Sequence, residues 1–317
     1  MLKITTRFAI KIFCRRIILN KPELLNEKGP LLIASNHPNS FLDSIILDTL
    51  FDQPVWSLAR GDVFKKSFYI KLLGKLNILP VYRTSEGVEN LSENYKTFSA
   101  CIEIFRKQGL VSIFSEGKCI NEWHLRPLKK GTARLAIKAW EENIPLRVLP
   151  VGINYSSFHR FGKNMFINFG EMIHKTDIDL RQQDGLRHQE FNEILEHQLK
   201  ELVFEIPKEN RLSQKEKLTI KISVVKKLLL AIPAIIGWLL HAPLFLPVKK
   251  YTAPRTKLND HYDSVMTGIL IFTYPFYLIL LTVIAAIILK SYWVLLIFLA
   301  LPLTAWSYVA VKPQLDK

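Results

Sequence analysis

Cysteine is scarce in this sequence, with Cys14, Cys101 and Cys119 the only three among 317 residues. Their odd number and unpaired spacing exclude a disulfide framework and a zinc knuckle, and they indicate reduced thiols facing a cytosol. No group of His, Cys and carboxylate residues has metal-ligand spacing, and no phosphate-binding loop or dinucleotide-binding fingerprint occurs. The sequence therefore predicts a protein that works without a metal or a bound cofactor.

Acidic residues are also few, since 28 Asp and Glu face 43 Lys and Arg and leave a net charge of +15. Such an excess indicates an anionic partner: nucleic acid, a membrane surface, or a phosphorylated or CoA-type substrate. The aromatic residues lie mostly within apolar runs and not between the basic residues, where bases would stack on them. We therefore expect no nucleic-acid partner.

Charge is missing altogether from two long segments near the C-terminal end. Residues 265–289 and 291–311 carry no charged residue over 25 and 21 positions. Each is long enough to cross a bilayer core of about 30 Å. Because only Lys290 and Ser291 link the apolar parts, the pair predicts a transmembrane helical hairpin.

A third apolar run, residues 228–248, contains three prolines and a glycine, which break or kink helices. It either spans the membrane or forms a re-entrant or interfacial segment. A span would place the basic loop after residue 248 opposite the basic N-terminal part, against the positive-inside rule. We prefer the re-entrant arrangement, which predicts an integral protein of the cytoplasmic (inner) membrane with its catalytic domain facing the cytosol.

The first twenty residues alternate basic and apolar side chains at steps of three to four residues. This pattern predicts an amphipathic helix over residues 1–20 that lies on an anionic lipid surface, and its alternative is an ordinary surface helix. The predicted domains are thus this helix, a soluble domain over 21–220, and a membrane region over 221–317.

Apolar runs alternate with helical patterns through residues 21–220. Six runs read as buried strands, and helical spacing separates them, as in Phe41 to Leu50 and Gly131 to Glu142. This alternation predicts an α/β domain with a mostly parallel sheet flanked by helices. In such sheets ligands bind beyond the carboxyl ends of the strands, and the chemically active residues of this chain follow those ends.

The stretch SNHPNSFLDSI, residues 35–45, contains one histidine and one aspartate after a predicted strand. Pro38 favours an extended backbone at His37, and Asn39 or Ser40 is a suitable cap for the next helix. Asp43 then falls in the first helical turn, where its carboxylate can hold one ring nitrogen and leave the other free as a base. Alternatively, Asp43 only stabilises the positive helix end and His37 is an ordinary loop residue.

The motif NHPNSFLD resembles the first block of the membrane-bound glycerolipid acyltransferases, the lysophosphatidate and glycerol-3-phosphate acyltransferase superfamily. Five residues separate His37 from Asp43, which resembles the fungal-type glycerol-3-phosphate acyltransferase branch; four is the commoner number. The resemblance implies that His37 is the general base and Asp43 its orienting partner. It also implies a glycerolipid acyltransferase-like fold.

Three further blocks follow in the family's order, so that the resemblance extends over about 120 residues. Residues 59–83 end in Arg83, which the resemblance implies binds substrate. FSEGK, residues 114–118, is similar to the third block and implies that Glu116 and Gly117 hold the glycerol phosphate. LPVGINY, residues 149–155, is similar to the fourth block, a strand that contains Pro150.

The third block departs from the family. Ser115 stands at the usual proline, and Lys118 and Cys119 stand where Thr-Arg is common, so that an arginine often used against the phosphate is missing. The charge is expected instead from one of several basic residues: Lys118, Arg126, Lys129, Lys130 or Arg134.

Together these features predict an O-acyltransferase that transfers a fatty acyl group from acyl-CoA or acyl carrier protein to a glycerol-phosphate acceptor. Membrane lipids are the other expected partners. No Gly-x-Ser-x-Gly motif marks a nucleophile, so we expect direct attack by the acceptor hydroxyl. Two alternatives stay open: action on another lyso-lipid, such as an amino-acid lipid, and a lipid-binding membrane protein without activity.

Overall fold

The structure is a computed structural model that describes residues 7, 9–10, 12–61, 74, 76–82 and 91–316, the side chains of 91–93 excepted. The chain divides into two compact units. The α/β unit comprises Leu19–Asn154 and Ile167–Pro207. The helical unit comprises Met1–Ile18, Tyr155–Phe166 and Lys208–Lys317. The predicted boundaries at residues 20 and 220 thus differ from this division in detail.

In the part of the chain that the structure describes, the sheet has seven strands in the order β1-β7-β6-β2-β5-β3-β4. The strands are β1 Cys14–Leu19, β2 Leu31–Ser35, β3 Val55–Arg60, β4 Ile78–Val81, β5 Leu110–Phe114, β6 Arg147–Tyr155 and β7 Lys163–Phe169. Parallel pairing joins β2 to both β5 and β6, so that Ser35 lies opposite Phe114 on one side and Val151 on the other. β3 pairs in parallel with β5 and with β4. The predicted mostly parallel sheet is confirmed.

Among the described residues, four helices belong to the α/β unit, and each connects or flanks strands. They are α1 Phe41–Leu50, α2 Leu91–Arg106, α3 Gly131–Glu141 and α4 Asp184–Leu202. All five residues of β2 and of β5 are buried. A parallel strand that is covered on both faces reads as a continuous apolar run, which explains why LLIAS and LVSIF carry no alternating polar positions. The large core residues Phe105, Trp140 and Phe191 are fully or almost fully buried within the same apolar cluster.

The predicted helix over residues 1–20 is wrong for its last part. Residues 7, 9–10 and 12–13 are helical, but Cys14–Leu19 form strand β1. Ile17 and Ile18 are β-branched and favour an extended backbone, and strand pairing stabilises that state over the amphipathic helix that periodicity alone favours.

The helical unit contains α5 Arg211–Leu218, α6 Val224–Arg255, α7 Tyr262–Leu289 and α8 Ile297–Val311. Among the described residues, three helices are long and apolar enough to cross a membrane: Val224–Arg255, Tyr262–Leu289 and Tyr292–Val311. Many of their large apolar side chains are exposed, Phe272, Phe276 and Ile288 among them. Helices of this composition are typical of a membrane protein. As predicted, Lys290 and Ser291 separate the last two apolar segments.

Helix α6 is unbroken, although it contains Pro233, Pro243, Pro247 and Pro254. Gln314 exchanges two hydrogen bonds of 2.8 and 2.7 Å with the backbone of Ile220, which precedes the helix. Lys249, near its other end, lines a cavity with Lys312. Whether residues 228–248 are re-entrant or cross the membrane stays a prediction.

Candidate active site

The candidate site lies at the carboxyl ends of β2 and β5 in the α/β unit. The backbone N–H of Ser115 donates to the carbonyl of Ser35 at 2.8 Å, so that the two strand ends stay joined beyond their ladder. The side chain of Asn36 continues the β2–β6 pairing, because its amide donates to the carbonyl of Ile153 at 3.0 Å and accepts from the N–H of Ile153 at 2.7 Å. These hydrogen bonds fix the backbone at the point where His37 follows strand β2.

His37 and Asp43 form the pair that the sequence predicts. Nδ1 of His37 lies 2.9 Å from Oδ2 of Asp43, and the N–H of Asn39 donates to the same oxygen at 2.8 Å. Asp43 is fully buried in the first turn of α1, whereas the side chain of His37 is 15 % exposed. With the carboxylate accepting from Nδ1–H, the imidazole is the tautomer whose Nε2 is free to accept a proton.

The turn between the pair has an unusual backbone. Ser40, the residue before α1, has a φ of 54°, in the left-handed region, and its N–H donates to Sγ of Cys119 at 2.9 Å. The chain thereby reverses direction within the five residues between His37 and Asp43, and the carboxylate folds back onto the ring.

Phe114 is a site residue that sequence reasoning missed. Its ring stacks on the imidazole of His37, with centroids 3.9 Å apart and an interplanar angle of 11°. The available signal was its position, since Phe114 is the last residue of β5 and lies opposite Ser35 in the parallel register. The stack covers one face of the base and fixes its plane.

Glu116 is buried and receives two backbone hydrogen bonds. The N–H of His37 donates to Oε2 at 2.8 Å, and the N–H of Arg126 donates to Oε1 at 2.9 Å. Burial raises the pKa of Glu116, while the two N–H donors and the charge of His37 oppose that rise. The carboxyl group therefore holds the His37 backbone against the loop that contains Arg126, which adds a positioning role to the substrate contact expected of it.

The segment that follows Glu116 wraps around the His37 turn. Gly117 has a φ of 66°, and its N–H closes a tight turn on the carbonyl of Phe114 at 3.0 Å. Ile120 N–H donates to the carbonyl of His37 at 3.2 Å. Between them Lys118 is exposed, so that its ammonium group lies at the surface of this loop.

Two predicted substrate residues remain, Pro150 and Arg83. Pro150 is buried inside β6 opposite Ala34, and its carbonyl accepts from the N–H of Gly170 at 2.9 Å. It supports the sheet next to the strand that precedes His37, and its contact with substrate stays a prediction. Arg83 lies outside the described residues, so its role stays a prediction as well.

A backbone hydrogen bond joins the basic residues at the start of α3 to the segment that follows β5. Lys129, Lys130 and Arg134 are exposed beside the start of α3, and the Lys129 N–H donates to the Ser115 carbonyl at 2.7 Å. Arg126 is already paired with Glu122. Within the described part of the chain, no group of three or more His, Cys, Asp or Glu could hold a metal ion. The available chemistry is thus one oriented base and a set of exposed cations.

A parallel α/β sheet with a carboxylate-held histidine at its strand ends defines a class of candidate acid–base enzymes. Residues 16–154, less than half of the chain, match the model of the family described as Acyltransferase. This segment contains His37, Asp43, Glu116 and Pro150, and the match supports an acyltransferase domain.

The structure is also similar to the crystal structure of the 1-acyl-sn-glycerophosphate (LPA) acyltransferase PlsC from Thermotoga maritima. The identity is 19 %, the TM-score is 0.44, and the match covers 63 % of this chain and 79 % of that one. A comparison with curated proteins finds no match.

Proposed function

We propose that this protein is an O-acyltransferase of glycerolipid synthesis. It transfers a fatty acyl group from acyl-CoA or acyl carrier protein to glycerol-3-phosphate or 1-acylglycerol-3-phosphate. The observation that carries the proposal is the 2.9 Å contact between Nδ1 of His37 and Asp43, which leaves Nε2 as a base. The match of residues 16–154 to the Acyltransferase family supports it.

In the proposed reaction, Nε2 of His37 removes the proton of the acceptor hydroxyl as its oxygen bonds to the thioester carbonyl carbon. The tetrahedral intermediate then collapses, the carbon–sulfur bond breaks, and the imidazolium returns the proton to the departing thiolate. Asp43 stabilises the imidazolium that forms between these steps. The reaction therefore needs no acyl-enzyme and no bound metal, and its rate depends on how well the two substrates are positioned.

The acceptor phosphate needs fixed cations near this base. Lys118 is exposed on the loop that holds Glu116, and we assign it to the phosphate together with Arg83. Gly117 allows the backbone to approach the ligand, and Pro150 shapes the neighbouring strand. Ser115 does not extend this set, since its hydroxyl is buried and lies 2.9 Å from that of Thr132.

The acceptors and the product are amphiphiles, so we propose that the enzyme works at a bilayer surface. Three apolar helices of spanning length among the described residues support an integral membrane protein. We place it in the cytoplasmic membrane with the α/β unit facing the cytosol, where soluble acyl donors are found.

The test is an acyl-transfer assay on the purified full-length protein in detergent. Radiolabelled acyl-CoA and acyl carrier protein are each offered with glycerol-3-phosphate, 1-acylglycerol-3-phosphate and a lyso amino-acid lipid. We expect a labelled product with a glycerol-phosphate acceptor, and a loss of about 10²–10⁴-fold in His37→Ala. His124→Ala is the matched control, because Nδ1 of His124 also lies beside a carboxylate, 2.6 Å from Glu205.

Three outcomes would contradict parts of this proposal. Transfer only to the amino-acid lipid would support the proposed reaction but contradict the proposed acceptor. Lys118 and Cys119 stand where the family commonly has Thr-Arg, so the acceptor is the part of the proposal that this result would change. Full activity in His37→Ala would refute the assigned base. Lipid binding without consumption of either thioester would identify a non-catalytic lipid-binding protein.

A further inference from the structure

The helical unit contains an apolar cavity of about 580 Å³ that the proposed reaction does not use. Its walls come from α6, α7, α8 and the helical residues near the N-terminus. Among the lining side chains are Phe13, Phe161, Trp238, Leu270, Phe298 and Tyr308. This volume lies within the range of about 300–1,000 Å³ that small-molecule sites occupy. Aromatic and aliphatic walls of this kind suit a hydrocarbon chain.

One end of the cavity is positively charged. Lys249 and Lys312 line it, and the ammonium group of Lys312 lies 6.0 Å from the ring centre of Phe161 and 5.4 Å from that of Tyr308. Burial, together with weaker repulsion from four other cations, lowers the pKa of Lys312 to about 7. Those cations are Arg15, Arg160, Lys163 and Lys249.

Two carboxylates lie next to this cluster, and together they offset only part of its positive charge. Asp263 pairs with Lys163. Asp316 accepts from the hydroxyl of Ser157 at 2.7 Å and from the N–H of Phe158 at 3.0 Å, and it lies 3.9 Å from Nε of Arg160. Among the described residues, five basic side chains thus face two carboxylates, which leaves positive charge in excess at the end of an apolar cavity.

Two guanidinium nitrogens in the cluster are buried without a hydrogen-bond partner in the described part of the chain. Arg15 donates through Nε to the carbonyl of Val309 at 2.9 Å and through Nη2 to the carbonyl of Lys312, but its Nη1 has no partner among the described residues. Nε of Arg160 also lacks one. A buried donor without an acceptor is costly, and a phosphate oxygen is the acceptor that a guanidinium group fits best.

We propose that this cavity is a second lipid site, separate from the His37 centre, which binds an anionic phospholipid. Its acyl chain fills the space between α6, α7 and α8, and its phosphate contacts Lys312, Arg160 and Nη1 of Arg15. The polar and apolar parts of the site are adjacent, as they are in a phospholipid. An isolated phosphate would leave the apolar walls empty, and a neutral lipid would leave the cations unbalanced.

The experiment measures lipid binding to the delipidated full-length protein in neutral detergent, by native mass spectrometry and by the shift in melting temperature. The probes are phosphatidate, diacylglycerol and inorganic phosphate. We expect phosphatidate to bind at least tenfold more tightly than diacylglycerol, and inorganic phosphate to cause no shift. Lys312→Gln and the cavity-filling change Ala242→Phe should each weaken the binding of phosphatidate at least tenfold.

Matched controls are available on surfaces that do not line the cavity. Lys226→Gln removes a lysine that lies over the ring of Trp306, and Ala286→Phe adds a phenyl ring on an exposed position of α7. Both should bind phosphatidate as the unmodified protein does. The proposal is wrong if phosphatidate and diacylglycerol bind equally tightly, or if inorganic phosphate alone stabilises the protein. It is also wrong if Lys312→Gln and Ala242→Phe both bind phosphatidate as tightly as the unmodified protein does. None of these results depends on acyl transfer.

Discussion

The imidazole of His37 lies flat on the ring of Phe114, with centroids 3.9 Å apart and planes 11° from parallel. Asp43 holds Nδ1 of the same ring, and Glu116 holds the backbone N–H of the same residue. The base is thus fixed in tautomer, plane and backbone position by three residues from two strand–loop segments. Preorganisation of this kind lets a single imidazole remove a proton without first losing rotational freedom.

Replacing Asp43 by Asn should remove most of the activity and leave the fold intact. An amide at this position no longer favours the tautomer with a free Nε2, and it cannot stabilise the imidazolium. We expect the turnover number to fall about 10²–10⁴-fold, the range of general-base catalysis, while the KM for the acyl donor changes little. Steady-state kinetics with both substrates varied measure this. Equal turnover in the variant would show that Asp43 only stabilises the helix end.

Replacing Glu116 by Gln should weaken the link between His37 and the loop that contains Arg126. A carboxylate accepts from both backbone N–H groups, whereas an amide offers one oxygen, so one buried N–H loses its acceptor. The cost should be about 1–3 kcal/mol of stability. Glu193→Gln, on an exposed position of α4, is the matched control and should melt as the unmodified protein does.

The same variant tests a pH dependence. Because the pKa of Glu116 is raised, the folded protein binds this proton more tightly than the unfolded chain. The resulting stabilisation is complete below the unfolded pKa of about 4.3 and is lost as pH rises through the folded pKa. The melting temperature of the unmodified protein, relative to Glu116→Gln, should therefore decrease from pH 4 upward. If the melting temperature of the unmodified protein instead rises with pH relative to Glu116→Gln, the pKa of Glu116 is not raised in the folded protein.

Much of the α/β unit could be predicted from local patterns. The apolar runs around LLIAS and LVSIF are strands because both faces are buried, and the Pro38 turn indicated how His37 and Asp43 meet. Two features could not be predicted, because they depend on residues far apart in the sequence. The stack of Phe114 on His37 joins positions 77 residues apart (114 − 37), and the contact of Glu116 with the His37 backbone spans 79.

Strand β1 was predicted as a helix for a related reason. Residues 14–19 have the spacing of an amphipathic helix, and periodicity cannot report that a neighbouring strand is available for pairing. Here too the deciding interaction is tertiary.

Replacing Gly117 by Ala should destabilise the loop that carries Glu116. Its φ of 66° is disfavoured for residues with a Cβ, and an added Cβ would lie 3.1 Å from Cγ of Lys129. The left-handed conformation costs about 1–2 kcal/mol in a residue other than glycine. Gly117→Asn should cost less, because Asn tolerates this region. Gly185→Ala is the control, since its Cβ would meet nothing within 4 Å and it lies in helix α4.

The buried ion pair between Lys163 and Asp263 should govern the stability of the helical unit. Both side chains are almost wholly inaccessible, and Nζ of Lys163 also donates to the carbonyl of Ser157 at 2.6 Å. Lys163→Met leaves a buried carboxylate without its cation, which should cost about 3–5 kcal/mol. The double variant Lys163→Met/Asp263→Asn should recover most of that loss, because it removes both charges together.

Thermal unfolding in detergent measures the effect, with Lys21→Met as the comparison. Lys21 pairs with Glu171, whose side chain is 84 % exposed, and loss of a solvent-exposed pair changes stability by at most about 1 kcal/mol. We therefore expect the order Lys163→Met, then the double variant, then Lys21→Met, from least to most stable. If the double variant melts as low as Lys163→Met, the lysine stabilises the unit through its packing against the rings of Phe13 and Tyr155 and not through its charge.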